Sequence, residues 1–308
     1  MSINTPINER EKENRRKEVI ALLLKIKKGN LAGNSYSSDK QAISELFEKT
    51  NEDTEENILL CLTVIDSMYS TQMNRRYYGL EDLAKAMYTL KEEKERSLKD
   101  MFVELANSSD TSMFDYSGGN LWADSYGIGK DGQDKGAAIS LISKYAYFTT
   151  KYQFPIFDSI VCETLPSLST YLGMKKPKMK CMDKKQNIIG DDTMKIFIKV
   201  INSFVHELSD AISYDSLDRL LWFVGKIRRG NLSLILSKDE YKECVAYCQK
   251  KLNTNQFDIK YIKGTDIPKL PFVKEELIPF FKLAKELGSL VKYPKKRKKN
   301  PQQVNNHK

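Results

Sequence analysis

The stretch KGAAISLISKYAYFTTKYQFPIFDSIV, residues 135 to 161, is the most informative segment of the chain. The apolar residues that follow Lys135 recur with the spacing of a helix buried on a broad face. The Phe-Pro-Ile-Phe sequence at 154 to 157 then predicts a turn, and Asp158 can cap the next helix. Lys135 or Lys144 on the first helix, together with Asp158 after the turn, therefore brings an amine and a carboxylate close together.

The remainder of the chain is also predicted to be helical. The spacing of apolar residues predicts helices at 9 to 28, 39 to 49, 55 to 74, within 80 to 106, and at 193 to 213, 215 to 229, 238 to 252 and 273 to 288. Asp215 and Ser216 are the expected start signals of the helix at 215 to 229. Alternating strand patterns are scarce, so we expect an all-α fold. We expect a main helical domain over 1 to 235, a small accessory region over 236 to 290 and a basic disordered tail over 291 to 308.

Length, composition and charge narrow the class of protein. The chain has 308 residues, 41% of them apolar, which is ample for a buried core. A charged amino terminus and the lack of a run of eighteen apolar residues predict a cytoplasmic protein without membrane contact, associated with the nucleoid if bacterial. Seven of the nine net positive charges lie between residues 292 and 308, and 175 to 185 holds six lysines. These clusters favour a nucleic-acid partner over a merely solvated surface.

The cysteines and histidines give little support for a metal site. The five cysteines are odd in number and are expected to be free thiols. Cys244 and Cys248 share a helix face, but no Cys/His partner set accompanies them. We therefore expect neither a metal nor another cofactor.

A glycine-rich segment, YGIGKDGQDKGAA at 126 to 138, precedes the lysine-bearing helix. Gly127, Gly129 and Gly132 allow the backbone to approach another group closely, and a hairpin that opens a helix can direct free N–H groups at a phosphate. A flexible surface loop is the alternative interpretation.

These two segments together resemble the helix-hairpin-helix DNA glycosylase superfamily, and within it the 8-oxoguanine glycosylase branch. The resemblance lies in the hairpin, the following helix with its lysines, and the FPIFDS sequence that contains Asp158. The segment from Leu59 to Met87 also resembles the early helix pair of the family, and the likeness covers about residues 55 to 229. The amino-terminal β-domain of the eukaryotic branch is missing. The resemblance implies a helix-hairpin-helix glycosylase-like helical fold.

The resemblance also implies roles for individual residues. Asp158 matches the aspartate that helps to expel the base and stabilises the cationic sugar. The catalytic lysine stays open, because Lys135 precedes Asp158 by 23 residues and Lys144 precedes it by 14. On one continuous helix the two lysines would lie on opposite faces, so only one could point at the site. Either lysine has to lose its proton to attack, which requires burial or a nearby positive field.

Binding residues are expected around this centre. The base pocket is expected to use the aromatic faces of Trp222, Phe223 and Tyr145, because the target nucleotide has to be turned out of the duplex. The residues expected to contact DNA are Gly127, Gly129, Gly132, Gln72, Lys295, Lys296 and Arg297.

The sequence therefore predicts a monomeric DNA N-glycosylase that acts on double-stranded DNA carrying a modified base. A β-elimination lyase step is left open. An oxidised purine is the substrate that the resemblance implies, whereas a bulky modified pyrimidine of viral DNA, removed as an antiviral defence, remains a second option beside repair. The alternative is a non-catalytic helical DNA-binding protein that retains the glycosylase fold.

Overall fold

A computed structural model describes residues 8–27, 34–50, 53–69, 71, 73–177, 191–209 and 212–291. The described chain is predominantly helical, which confirms the predicted all-α class. The helices are α1 (Glu9–Lys27), α2 (Asn34–Lys49), α3 (Glu55–Tyr69), α4 (Gly79–Lys94), α5 (Leu98–Ser108), α6 (Ile139–Thr149), α7 (Ser159–Tyr171), α8 (Asp191–Leu208), α9 (Tyr214–Arg228), α10 (Lys238–Tyr247) and α11 (Ile278–Leu287). Two short strands, β1 (Asp115–Tyr116) and β2 (Gly119–Asn120), pair in an antiparallel hairpin.

Helix positions follow the apolar spacing, whereas some helix starts do not follow the expected signals. Helix α1 buries Val19, Leu22, Leu23 and Ile26, the set that a 3.6-residue repeat places on one face. Helix α9 begins one residue earlier than predicted, because Ser213 is its cap and accepts a hydrogen bond from the Ser216 N–H at 3.2 Å.

Two groups of helices meet at the connection between α6 and α7. Helix α3 packs against α2, α4 and α6, and α9 packs against α1, α7 and α11. Residues that follow the predicted boundary at 235 share this packing, since Phe280 of α11 lies against Phe223 of α9 with ring centroids 5.5 Å apart. The α6–α7 connection therefore joins a helix of the first group to a helix of the second. Within the described part of the chain, no helix is long and apolar enough to cross a membrane.

Candidate active site

A buried serine fixes the loop between α6 and α7. Ser143 is fully buried, and its hydroxyl accepts a hydrogen bond from the Phe157 backbone N–H at 3.0 Å. The next residue, Asp158, caps α7 as predicted, accepting a hydrogen bond from the Val161 N–H at 2.8 Å. Because Ser143 is the chain neighbour of Lys144, this bond holds the Asp158 carboxylate beside the part of α6 that carries Lys144.

The Lys144 side chain lies in the interior of the molecule. Only 3% of its surface is exposed, and its ammonium donates hydrogen bonds to the Ser140 hydroxyl at 2.7 Å and the Ser140 carbonyl at 3.2 Å. The ammonium also lies 5.8 Å from the ring centroid of Tyr69. Burial lowers the pKa of Lys144 below its ordinary value, while the charges of Asp158 and Asp218 act in the opposite direction. The site therefore combines a desolvated amine with nearby carboxylates.

Helix α9 forms a second wall of this site. Asp218, Trp222 and Lys226 recur every four residues and so share one face of α9. The Lys226 ammonium lies 5.5 Å from the Trp222 ring centroid. Burial lowers the pKa of Lys226, and the charge of Asp158 opposes the shift. The close approach of α7 and α9 depends on Gly225, where an added Cβ would lie 2.3 Å from a side chain of α7. Asp158 thus acts electrostatically on lysines from two different helices.

A buried ion pair ties α2, α6 and α9 together next to the site. The ammonium of Lys40 bonds to the carboxylate of Asp215 and donates to the Tyr147 hydroxyl at 2.7 Å, and it lies 3.8 Å from the Tyr152 ring centroid. The Tyr147 hydroxyl donates to Asp215 at 2.5 Å. Burial would raise the pKa of Asp215, but the charge and hydrogen bond of Lys40 lower it below the ordinary value. Lys40 is therefore a paired cation that braces three helices.

The backbone N–H groups of the three glycines in the hairpin already have hydrogen-bond acceptors within the protein. The Gly127 N–H donates to the Asp82 carboxylate at 3.1 Å, the Gly129 N–H to the Gln133 carbonyl at 2.9 Å, and the Gly132 N–H to the Gly129 carbonyl at 2.9 Å. The expectation that these three glycines present free N–H groups to a phosphate is wrong for this structure. The reason is that the Gly129 and Gly132 N–H groups form the hydrogen bonds of the hairpin itself, and the Gly127 N–H bonds to a carboxylate of α4.

Lys135 belongs to this hairpin and not to the helix that follows it. Its backbone N–H donates to the Gly127 carbonyl at 3.0 Å, and its ammonium pairs with the Asp131 carboxylate at 3.0 Å. Helix α6 begins only at Ile139, so the predicted single helix carrying both lysines is wrong, and the argument from opposite faces does not apply. The structure brings Lys144 into the field of Asp158, whereas Lys135 is paired with its neighbour in the hairpin.

The predicted base-pocket residues occupy different environments. Tyr145 is 3% exposed and packs edge-on against Phe47, with ring centroids 5.1 Å apart. Phe223 is 1% exposed and lies against Phe280. Both rings belong to the core and present no face to a base, which corrects these two predictions. Trp222 is only partly buried and lies on the α9 face described above. Four residues expected to contact DNA lie outside the described residues: Gln72, Lys295, Lys296 and Arg297.

Three residues of the site were missed by the sequence reasoning. Asp218 and Lys226 could have been found, because their four-residue spacing from Trp222 places all three on one helix face. Tyr69 ends a helix with no distinctive pattern around it, so only its position beside Lys144 in the structure identifies it.

Comparisons with known proteins found no match to this chain among protein-family models, curated proteins or solved structures. In the described ranges, no group of three or more His, Cys, Asp or Glu side chains could hold a metal ion. The side chains of Cys61, Cys162, Cys244 and Cys248 are buried.

Proposed function

We propose that this protein is a DNA glycosylase of the helix-hairpin-helix type that releases a modified base from double-stranded DNA. The observation that carries the proposal is that the buried Lys144 amine lies in the electrostatic field of the Asp158 carboxylate. Burial lowers the pKa of the amine, and the carboxylate is held at the amino terminus of α7. Nucleophilic lysines in enzymes are made reactive by this kind of burial.

The proposed reaction uses the two groups in different ways. Asp158 stabilises the positive charge that develops on the sugar while the bond from C1′ to the base breaks. The bonding electrons leave with the base, which takes up a proton. The neutral Lys144 amine forms a bond to C1′ and loses a proton, and opening of the sugar ring gives an iminium ion. In the lyase option, removal of a proton from C2′ then expels the 3′-phosphate.

Substrate access requires a local rearrangement, because Lys144 is almost fully covered in the free protein. The nucleotide has to leave the base stack, which costs about a few kcal/mol, and the side chains over Lys144 have to move aside. The partly exposed Trp222 lies between Asp218 and Lys226 on the same face of α9. We propose that it packs against the extruded nucleotide.

Borohydride trapping on duplex DNA with an abasic site tests this proposal. We expect the wild-type protein and Lys135→Gln to form the covalent adduct equally well, and Lys144→Gln and Lys144→Met to form none, since reduction captures only an iminium ion made by the attacking amine. Lys135→Gln is the matched control, because it removes a lysine nine residues away in the sequence. Thermal unfolding of each variant shows whether the fold is retained.

The result also separates the proposal from its alternatives. Loss of trapping in Lys135→Gln with full trapping in Lys144→Gln would assign the lyase step to the hairpin. A wild-type protein that binds the duplex without forming an adduct and releases no base from oxidised, deaminated, alkylated or glucosylated DNA would be a non-catalytic DNA-binding protein.

A further inference from the structure

The hydroxyl group of Tyr69 is buried and has no hydrogen-bond partner among the described residues. Leaving a buried hydroxyl without a partner destabilises the folded protein, so native proteins seldom contain one without a reason. Other buried tyrosines of this protein are satisfied. The Tyr126 hydroxyl donates to the Leu121 carbonyl at 2.9 Å, and the Tyr147 hydroxyl donates to Asp215 at 2.5 Å.

Two other buried donors among the described residues also lack a partner, and position distinguishes Tyr69 from both. The Thr164 hydroxyl lies where α7 packs closely against Gly225 of α9. The indole nitrogen of Trp122 is enclosed by aromatic rings, with Phe154 stacked on it at 6.1 Å. Tyr69 instead ends α3 at the candidate active site, where its ring centroid lies 5.8 Å from the Lys144 ammonium. A buried donor without a partner beside the Lys144 amine can contact the base that is attached to the sugar carbon under attack.

The surroundings of Tyr69 fix both its orientation and its protonation state. Its ring packs edge-on against Phe148, with centroids 6.1 Å apart. Burial raises the pKa of Tyr69, and the charges of Asp218 and Asp39 raise it further. The hydroxyl therefore keeps its proton at neutral pH and can donate a hydrogen bond to an acceptor atom.

We propose that the Tyr69 hydroxyl recognises the extruded base by donating a hydrogen bond to one of its carbonyl oxygens. This inference rests on the proposed glycosylase function and adds to it a residue that determines specificity. Among the described residues this hydroxyl has no partner, and in the complex the base would supply one. Sites built to hydrogen-bond a substrate discriminate strongly, since a mismatched ligand leaves the buried donor unpaired. Bases with a carbonyl that faces Tyr69 are the favoured substrate class.

The test compares Tyr69→Phe with the wild-type protein in two reactions. The first is single-turnover release of 8-oxoguanine, hypoxanthine, N7-methylguanine and glucosylated 5-hydroxymethylcytosine from duplex DNA. The second is borohydride trapping on an abasic duplex, which has no base for Tyr69 to bind. We expect Tyr69→Phe to slow release of the preferred base about 5- to 100-fold, the range for loss of one hydrogen bond. Trapping should be unchanged, and the melting temperature should be equal or higher.

Tyr126→Phe is the matched control, because its hydroxyl is also buried but is bonded to a backbone carbonyl. It should lower the melting temperature without changing the ratio of base release to trapping. Equal slowing of both reactions by Tyr69→Phe, or no slowing of base release, would overturn the recognition role. Wild-type trapping without release of any of the four bases would overturn it too, while leaving the Lys144 chemistry intact. Failure of wild-type trapping and release together would remove the proposed function itself.

Discussion

Two neighbouring segments of this protein each carry a lysine and an aspartate, and the structure treats them differently. In the hairpin, the ammonium of Lys135 pairs with Asp131 at 3.0 Å, with about a third of the lysine side chain exposed. At the α6–α7 connection, Lys144 is 3% exposed and interacts with Asp158 through the field between them. Water screens the first pair, and burial lowers the pKa of the second lysine. Environment, and not residue type, separates a surface ion pair from a candidate nucleophile.

The largest effect is expected for Asp158→Asn. Asparagine caps helices about as well as aspartate, so α7 should form and the melting temperature should change little. An amide cannot offset the developing charge on the sugar, and single-turnover base release should fall at least about 100-fold. Asp131→Asn in the hairpin is the control and should retain nearly full activity. Base release by a folded Asp158→Asn protein at the wild-type rate would break the distinction between the two segments.

A smaller loss of activity is expected for Ser143→Ala, which removes the contact between α6 and the loop before Asp158. The Phe157 N–H would lose its buried partner, so the free energy of unfolding should fall by about 1 to 3 kcal/mol. Base release should slow about tenfold, because Asp158 loses its fixed position relative to Lys144. Ser169→Ala is the control, since the buried Ser169 hydroxyl donates to the Leu165 carbonyl of its own helix at 2.9 Å. Chemical denaturation and single-turnover kinetics measure both effects.

The pH dependence of trapping tests the lowered pKa of Lys144. The reactive neutral amine accumulates as pH rises through the lowered pKa, so the trapping rate should rise and level off at a lower pH than an exposed lysine, with a pKa of about 10.4, would give. The free energy of unfolding should also depend on the protonation of Lys144. Between the lowered pKa and about 10.4 the unfolded chain binds the proton that the folded chain lacks, so Lys144 makes the free energy of unfolding rise with pH in that window.

Lys144→Met should remove this contribution and be more stable relative to wild type at neutral pH than at high pH. The Lys135→Gln protein should keep the wild-type profile in both measurements. A trapping rate that still increases steeply above pH 10 would show that Lys144 behaves as an ordinary exposed amine.

The smallest effect on chemistry is expected from deleting residues 292–308. Seven basic residues there can neutralise phosphates but cannot read bases, so the deletion should weaken binding to all duplexes and flatten its salt dependence. Single-turnover release at saturating protein should be nearly unchanged. Binding constants at two salt concentrations measure the slope, and an identical slope for the full and truncated chains would contradict the prediction.

Much of the fold could be predicted from the sequence, because apolar spacing reports which face of a helix is buried. The α1 core positions and the Asp158 cap are local features, and both are confirmed. The start of α6 was not predictable in the same way. The hydrogen bond from the Lys135 N–H to the Gly127 carbonyl joins residues that are eight positions apart in the sequence. Local sequence patterns do not predict hydrogen bonds of this kind well.

The sequence by itself determined the helical class, the turn that ends at Asp158 and the presence of two lysines that could serve it. Only the tertiary structure distinguishes the environments of the two lysines, because the pKa of an amine depends on the burial and charges that distant helices bring to it. Lys226 of α9 and Tyr69 of α3 join the site for the same reason. Each lies far from Asp158 in the sequence, and packing of α7 against α9 and of α3 against α6 brings them together.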